Sequence, residues 1–180
     1  MDALDMLKDN LNFAHRTFLD ARNGTDAQLH FVPANGSHSI ARCLWHTARI
    51  EDNLLQARYR ETDLLWNEDW AARTGLSADG PFVGMSNEDA QQIRLTNRDA
   101  FFEYIDAVWA STAEFLNGMT ADDLDREVKL GDRVEQLGSS ISTRMFGHFT
   151  SQTISTAPAR CYHHVRYWIA RPSRSCPHAT

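Results

Sequence analysis

The sequence predicts an all-α fold, a four-helix bundle with long crossing connections. Apolar residues recur three and four apart in four stretches, which gives each stretch one stripe to bury at the helical period. Turn residues such as Asn23-Gly24 and Gly118 end the stretches, and strand-like alternation is nearly absent. Packing such stripes against one another buries them all, and the result is a bundle.

Residues 2–22 form the first helix, with Leu7, Leu11, Ala14, Phe18 and Leu19 on one face and Asp2 and Asp5 in the first turn, where the helix dipole favours acids. His15 reads as a rim residue without a chemical role. Thr25-Asp26 caps a short turn into LHFVPANGSHS, whose Pro33, Asn35 and Gly36 favour a turn over a helix. His30 and His38 lie on this connection and are expected to be solvated.

Residues 37–55, SHSIARCLWHTARIEDNLL, form the second helix, with Ser37 or Ser39 as N-cap and Ile40, Cys43, Leu44, Thr47, Ile50 and Leu54 as its stripe. His46 lies at the edge of that stripe beside Cys43 and Ile50, with Arg42, Arg49 and Asn53 close by. A lone histidine in this setting is most simply a boundary residue whose ring nitrogens meet a carbonyl and a water.

The next segment, RYRETDLLWNEDWAARTGLSADGPFVGMS, loses the helical register. Trp66 and Trp70 are four apart, so on a short helix they would share a face, either as a lid sealing the bundle or as an aromatic pocket wall. Ser86 to Asp89 resembles a capping box with Asp in place of Glu. Residues 97–117 form the third long helix, with Phe101, Ile105, Val108, Thr112 and Phe115 on its stripe; the Thr112 hydroxyl is expected to bond back to the Val108 carbonyl. Thr120 to Asp123 caps another turn, and a few extended residues follow around Gly131. The fourth helix lies in SSISTRMFGHFTSQ, capped by Ser139 or Ser140, with Ile141, Met145, Phe146 and Phe149 on its apolar face and His148 at its margin.

Two histidines on helices far apart in sequence, His46 and His148, change the reading of each. Bundles build metal sites from inward side chains on facing helices, and imidazole suits zinc and nickel. A third ligand is expected one turn beyond His148, where the chain has Gln152, an amide that binds transition metals poorly beside imidazole. His163 and His164 lie roughly 22 Å further along a straight helix, out of reach unless Pro158 breaks it.

Composition narrows the class. The chain has 180 residues, 42% apolar and 23% charged, enough for one sizeable core. Its 18 basic and 24 acidic residues give a formal charge of -6, which argues against nucleic acid as a partner. No apolar run approaches a membrane span, and the acidic N-terminus does not read as a signal peptide, so a cytoplasmic location is expected. Cys43, Cys161 and Cys176 show no paired spacing, and no phosphate loop, nucleophile elbow or HExxH motif appears.

The order of LWHTARIED, then LLWNEDWAARTGL, then AFFEYIDAVWASTAEFL, then a late histidine resembles the DinB/YfiT-like superfamily of small bacterial four-helix proteins. The resemblance covers about residues 1–151, taken as the bundle domain, and leaves residues 152–180 as a divergent tail. It implies a divalent metal held by three histidines, one on the second helix and an HxxxH pair on the fourth. His46 and His148 match two of these ligands, and Gln152 replaces the third. Relatives include thiol transferases using bacillithiol or mycothiol and a mycothiol-dependent isomerase. The implied reading is a metal-dependent thiol transferase or hydrolase acting on a small molecule, with zinc or nickel as cofactor, a low-molecular-weight thiol as partner, and a pocket bounded by Cys43, Trp66 and Trp70. Cys43 is favoured as a packing residue over a ligand or nucleophile. The alternative is a non-catalytic, stress-linked bundle with a vestigial metal site that binds a small ligand or partner. Homodimerisation through a helix face is common among such bundles and is expected here as well. The tail itself has no Asp or Glu, while Arg160, Arg166, Arg171 and Arg174 make it basic, which suggests a divergent terminus or a shifted reading frame.

Overall fold

Every residue of α3 (Ile40–Asp52) except His46 is buried, which makes this helix the centre of the fold. The computed structural model describes residues 2–32, 38–79, 85–129 and 140–142. Ser39 caps α3 by accepting the Arg42 amide, and the predicted stripe is buried throughout. The burial extends further than one stripe, because Arg42, Arg49, Glu51 and Asp52 also lie inside.

Helix α1 (Ala3–Leu19) opens with a reciprocal capping box between Asp2 and Asp5. Leu4, Leu7, Leu11, Ala14 and Phe18 are buried, whereas Leu19, expected on the same face, is exposed where the chain tightens into a 3-10 turn at Asp20–Asn23. A second capping box, Thr25 with Gln28, starts the short α2 (Asp26–His30). After α3 the chain continues as a π-helix, Asn53–Arg60, ended by Glu61 in the left-handed region at φ 56°. Sequence periodicity gives no sign of this widening, along which Leu54 and Leu55 are buried.

The crossing segment contains α4 (Glu68–Thr74), capped by Asn67, and α5 (Asn87–Gln91), capped by Ser86 as its sequence predicts. It leads into α6 (Arg98–Asn117), which packs against α1, α3 and α4. Phe101, Ile105, Val108 and Thr112 are buried as expected; Phe115 is half-buried, and Leu116 takes the interior place beside it. A 3-10 turn, Ala121–Asp125, precedes β1 (Glu127–Lys129), which pairs antiparallel with β2 (Ser140–Ser142), Val128 opposite Ile141. Ser140 and Ile141 therefore belong to a strand, which corrects the expectation that they open the fourth helix. That helix, its apolar residues from 145 on, and the tail lie outside the described residues, as does the turn at Pro33 to Gly36.

Among the described residues two apolar clusters make up the interior. One joins Phe18, Trp45, Trp66, Phe101, Tyr104 and Ile105; the other joins Leu7, Leu11, Ile50, Leu55, Tyr59 and Leu116. The architecture is a helical bundle, with one short ribbon among the described residues. Among the described residues no helix is long and apolar enough to cross a membrane.

Gly75 ends α4 at φ 77°, and a Cβ there would collide with the Thr96 side chain, whose own backbone N–H donates to the Thr74 carbonyl at 3.0 Å. Gly75→Ala is expected to cost about 2 kcal/mol. Thermal unfolding should show a fall of roughly 4–8 °C; an unchanged melting temperature would contradict this account of the turn.

Candidate functional site

His46 is half-buried in the middle of α3, one turn beyond Cys43 and one turn before Arg49 and Ile50. Cys43 is 2% exposed, and its carbonyl accepts the Thr47 hydroxyl at 2.9 Å. Arg49 lies over the Trp66 ring at 5.1 Å, and Trp66 meets Trp45 edge-on at 6.5 Å. The side of α3 that carries His46 therefore continues into aromatic packing.

Trp66 precedes α4, separated from it by the capping Asn67, so the two tryptophans do not share a helical face as their spacing suggests. They converge on Tyr104, Trp66 edge-on at 4.9 Å and Trp70 tilted at 5.7 Å. Trp66 is buried, with its indole N–H donating to the Ala78 carbonyl at 3.1 Å. Trp70 is half-buried under the Arg73 guanidinium at 4.3 Å.

Sequence reading missed the adjacent acids at the end of α3. The Asp52 carboxylate, with no exposed side-chain surface, accepts the Leu65 and Trp66 backbone N–H groups at 3.0 and 2.9 Å and the Tyr104 hydroxyl at 3.1 Å. Burial pushes Asp52 above the usual carboxylate range against the pull of these donors and of Arg49. Burial, aided by the Asp52 charge, also pushes the Tyr104 phenol well above its ordinary value.

Glu51 is equally buried and faces the other way. Its Oε1 accepts the Thr112 hydroxyl at 2.6 Å, and its Oε2 lies 3.0 Å from Nε2 of His15. The His15 ring stacks on Trp109 at 4.4 Å. His15 is thus no bare rim residue, and Thr112, although within 3.1 Å of the Val108 carbonyl, makes its shorter contact with Glu51. The available signal was Glu51 itself, which stands four and seven residues beyond Thr47 and Leu44 on the same buried face. His30 is also not solvated as expected: Nδ1 donates to the Asp26 carbonyl at 2.8 Å, and Nε2 accepts the Leu95 N–H at 2.9 Å. Burial and the neighbouring Arg42 hold His38 below the ordinary imidazole value.

Residues 11–143 match the DinB superfamily. The chain belongs to the DinB superfamily. The crystal structure of a conserved protein from Enterococcus faecalis is similar in fold, with a TM-score of 0.72 at 19% identity, over 94% of this chain and 99% of that one. No curated protein matches the chain.

Of the ligands that the DinB resemblance implies, only His46 falls among the described residues; His148 and Gln152 lie outside them. Among the described residues no group of three or more His, Cys, Asp or Glu is placed to hold a metal ion. The donor chemistry is that of two imidazoles and one amide oxygen, a set that suits zinc or nickel less well than three imidazoles. His46 fits such a role, being the one residue of α3 that is not fully enclosed.

Two expectations follow from the buried acids. Glu51→Ala leaves Nε2 of His15 without its partner and the Thr112 hydroxyl with the Val108 carbonyl alone, and is expected to cost about 2–4 kcal/mol. A double-mutant cycle with His15→Ala should show coupling of about 1 kcal/mol or more in urea unfolding, and strict additivity would dismiss the pairing. The raised Asp52 value means that its contribution is complete below the ordinary aspartate value and is lost as pH climbs through the raised one. Asp52→Asn does not titrate, so the stability of wild type relative to this variant should decline with rising pH across that window. Denaturant midpoints taken from acid to neutral pH check this, and a pH-independent difference would refute it.

Proposed function

We propose that this DinB bundle binds a divalent metal, zinc or nickel, through His46, His148 and Gln152, and acts on a small molecule as a thiol transferase or hydrolase. The observation that carries this reading is the placement of His46, a partly accessible imidazole at the centre of an otherwise enclosed helix in a DinB chain. When bound, such an ion would act as a Lewis acid on a thiol or a water. The protein's own contribution would be rigidity and shelter: α3 is held on both sides by its buried carboxylates, and Trp66, Trp70 and Tyr104 exclude water from the flank beside Arg49. Cys43 is read as packing, since it is enclosed on the core side of α3. A low-molecular-weight thiol remains the proposed co-substrate.

A second reading, a non-catalytic bundle with a vestigial site, draws on Gln152 and on Trp66, whose ring is packed into the interior and contributes little open wall. Metal content separates the two. Protein purified from medium containing zinc and nickel should carry near-stoichiometric metal, and His46→Ala should lower affinity by at least about tenfold. Gln152→His, which completes the HxxxH pattern, should raise it by a similar factor. Elemental analysis showing no metal in wild type, and none gained in Gln152→His, would leave the non-catalytic reading.

A further inference from the structure

The His15–Glu51–Thr112 network does more than close the interior, because two of its members line a cavity between α1 and α6. This cavity has a volume of about 200 Å³ and is bounded by Lys8, Asn12, His15 and Thr112, with Leu11 and Leu116 as an apolar floor. We propose that it is a binding site for a small organic carboxylate with a short apolar chain.

The chemistry of the walls sets the class. Among the described residues of the lining Lys8 is the one formal charge; the nearby Glu51 has its two oxygens engaged by Thr112 and His15. Asn12 adds an amide donor within the same wall. Nε2 of His15 is directed at Glu51, and the Trp109 stack holds the ring in place at the cavity wall. A carboxylate matches the donors of this set, because it offers two acceptor oxygens and a negative charge to the Lys8 ammonium and the Asn12 amide. Leu11 and Leu116 favour a hydrocarbon tail over an inorganic anion. The volume is below that of a drug-sized pocket and suits an acid of roughly four to six carbons.

The site is separate from the proposed metal ligands, which include neither His15 nor Lys8. Butyrate titrated into the full-length protein, with its histidine rings isotopically labelled, tests it by nuclear magnetic resonance at constant pH and ionic strength. The His15 signals, assigned by their loss in His15→Gln, are expected to shift saturably. Lys8 is only half-buried, so Lys8→Met should fold with an unchanged melting temperature while weakening butyrate binding at least about tenfold. Butylamine, of similar size and opposite charge, should leave the signals in place. The proposal is overturned if butyrate does not move the His15 signals, if Lys8→Met binds it equally well, or if butylamine acts as butyrate does. Shifts confined to the other histidines would also overturn it, and would place the acid elsewhere without touching the metal reading.

Discussion

Two neighbouring carboxylates, Glu51 and Asp52, hold the described part of this bundle together, and both are removed entirely from solvent. Removing a charge from water costs several kcal/mol, which only close donors can offset. Successive helical residues point about 100° apart, so adjacent acids cannot share donors and must recruit different neighbours. Asp52 recruits the backbone after the π-helix and a phenol on α6; Glu51 recruits a histidine on α1 and a hydroxyl on α6. Helix α3 is thereby tied to three other parts of the chain through a single dipeptide.

The placement of the aromatic side chains follows from this. Once the Leu65 and Trp66 amides are fixed on Asp52, the Trp66 indole is committed to the interior, where it meets Trp45 and Tyr104. Tyr104 in turn orients toward Asp52 and presents its ring to Trp70. Arg49 closes the arrangement by spanning from Asp52, 3.7 Å away, to the face of Trp66. The crossing segment is held by polar contacts to α3 as much as by apolar burial, which lets a stretch of irregular backbone lie against the core with its amides satisfied.

The parts of the fold that were legible in the sequence are those decided locally. Ser39, Thr25 and Ser86 cap the helices their neighbours imply, because a side-chain oxygen and an amide two or three residues away suffice. The buried polar residues were not legible for the opposite reason. His15 lies 36 residues from Glu51, and Thr112 lies 61 from it, so local spacing reads His15 as rim and Thr112 as self-satisfied. His30 was assigned to solvent because its acceptor role depends on Leu95, 65 residues away. Ser140 illustrates a different ambiguity: a serine before an apolar residue serves equally as an N-cap or as a strand residue, and pairing with Lys129 decides it. His46 stood out because its ring lies at the edge of the apolar stripe of its helix, beside Cys43 and Ile50. Its surroundings, Arg49 over Trp66 above all, required the three-dimensional arrangement.

The polar layer also bears on why the helices adopt one register. Apolar stripes at helical spacing tolerate a shift of one turn, since leucine then meets leucine again. Here the layer lies between two apolar clusters: on α6, Thr112 separates Val108 from Leu116, and on α1, His15 stands between Leu11 and Phe18. Sliding α6 by one turn, about 5.4 Å, would carry the Thr112 hydroxyl out of reach and set an apolar side chain against the buried Glu51 carboxylate. The penalty for an unanswered charge in that position exceeds what one more apolar contact returns. The same layer that makes α3 unusually polar for an interior helix therefore selects the alignment of α1, α3 and α6, and with it the position of His46 within the bundle.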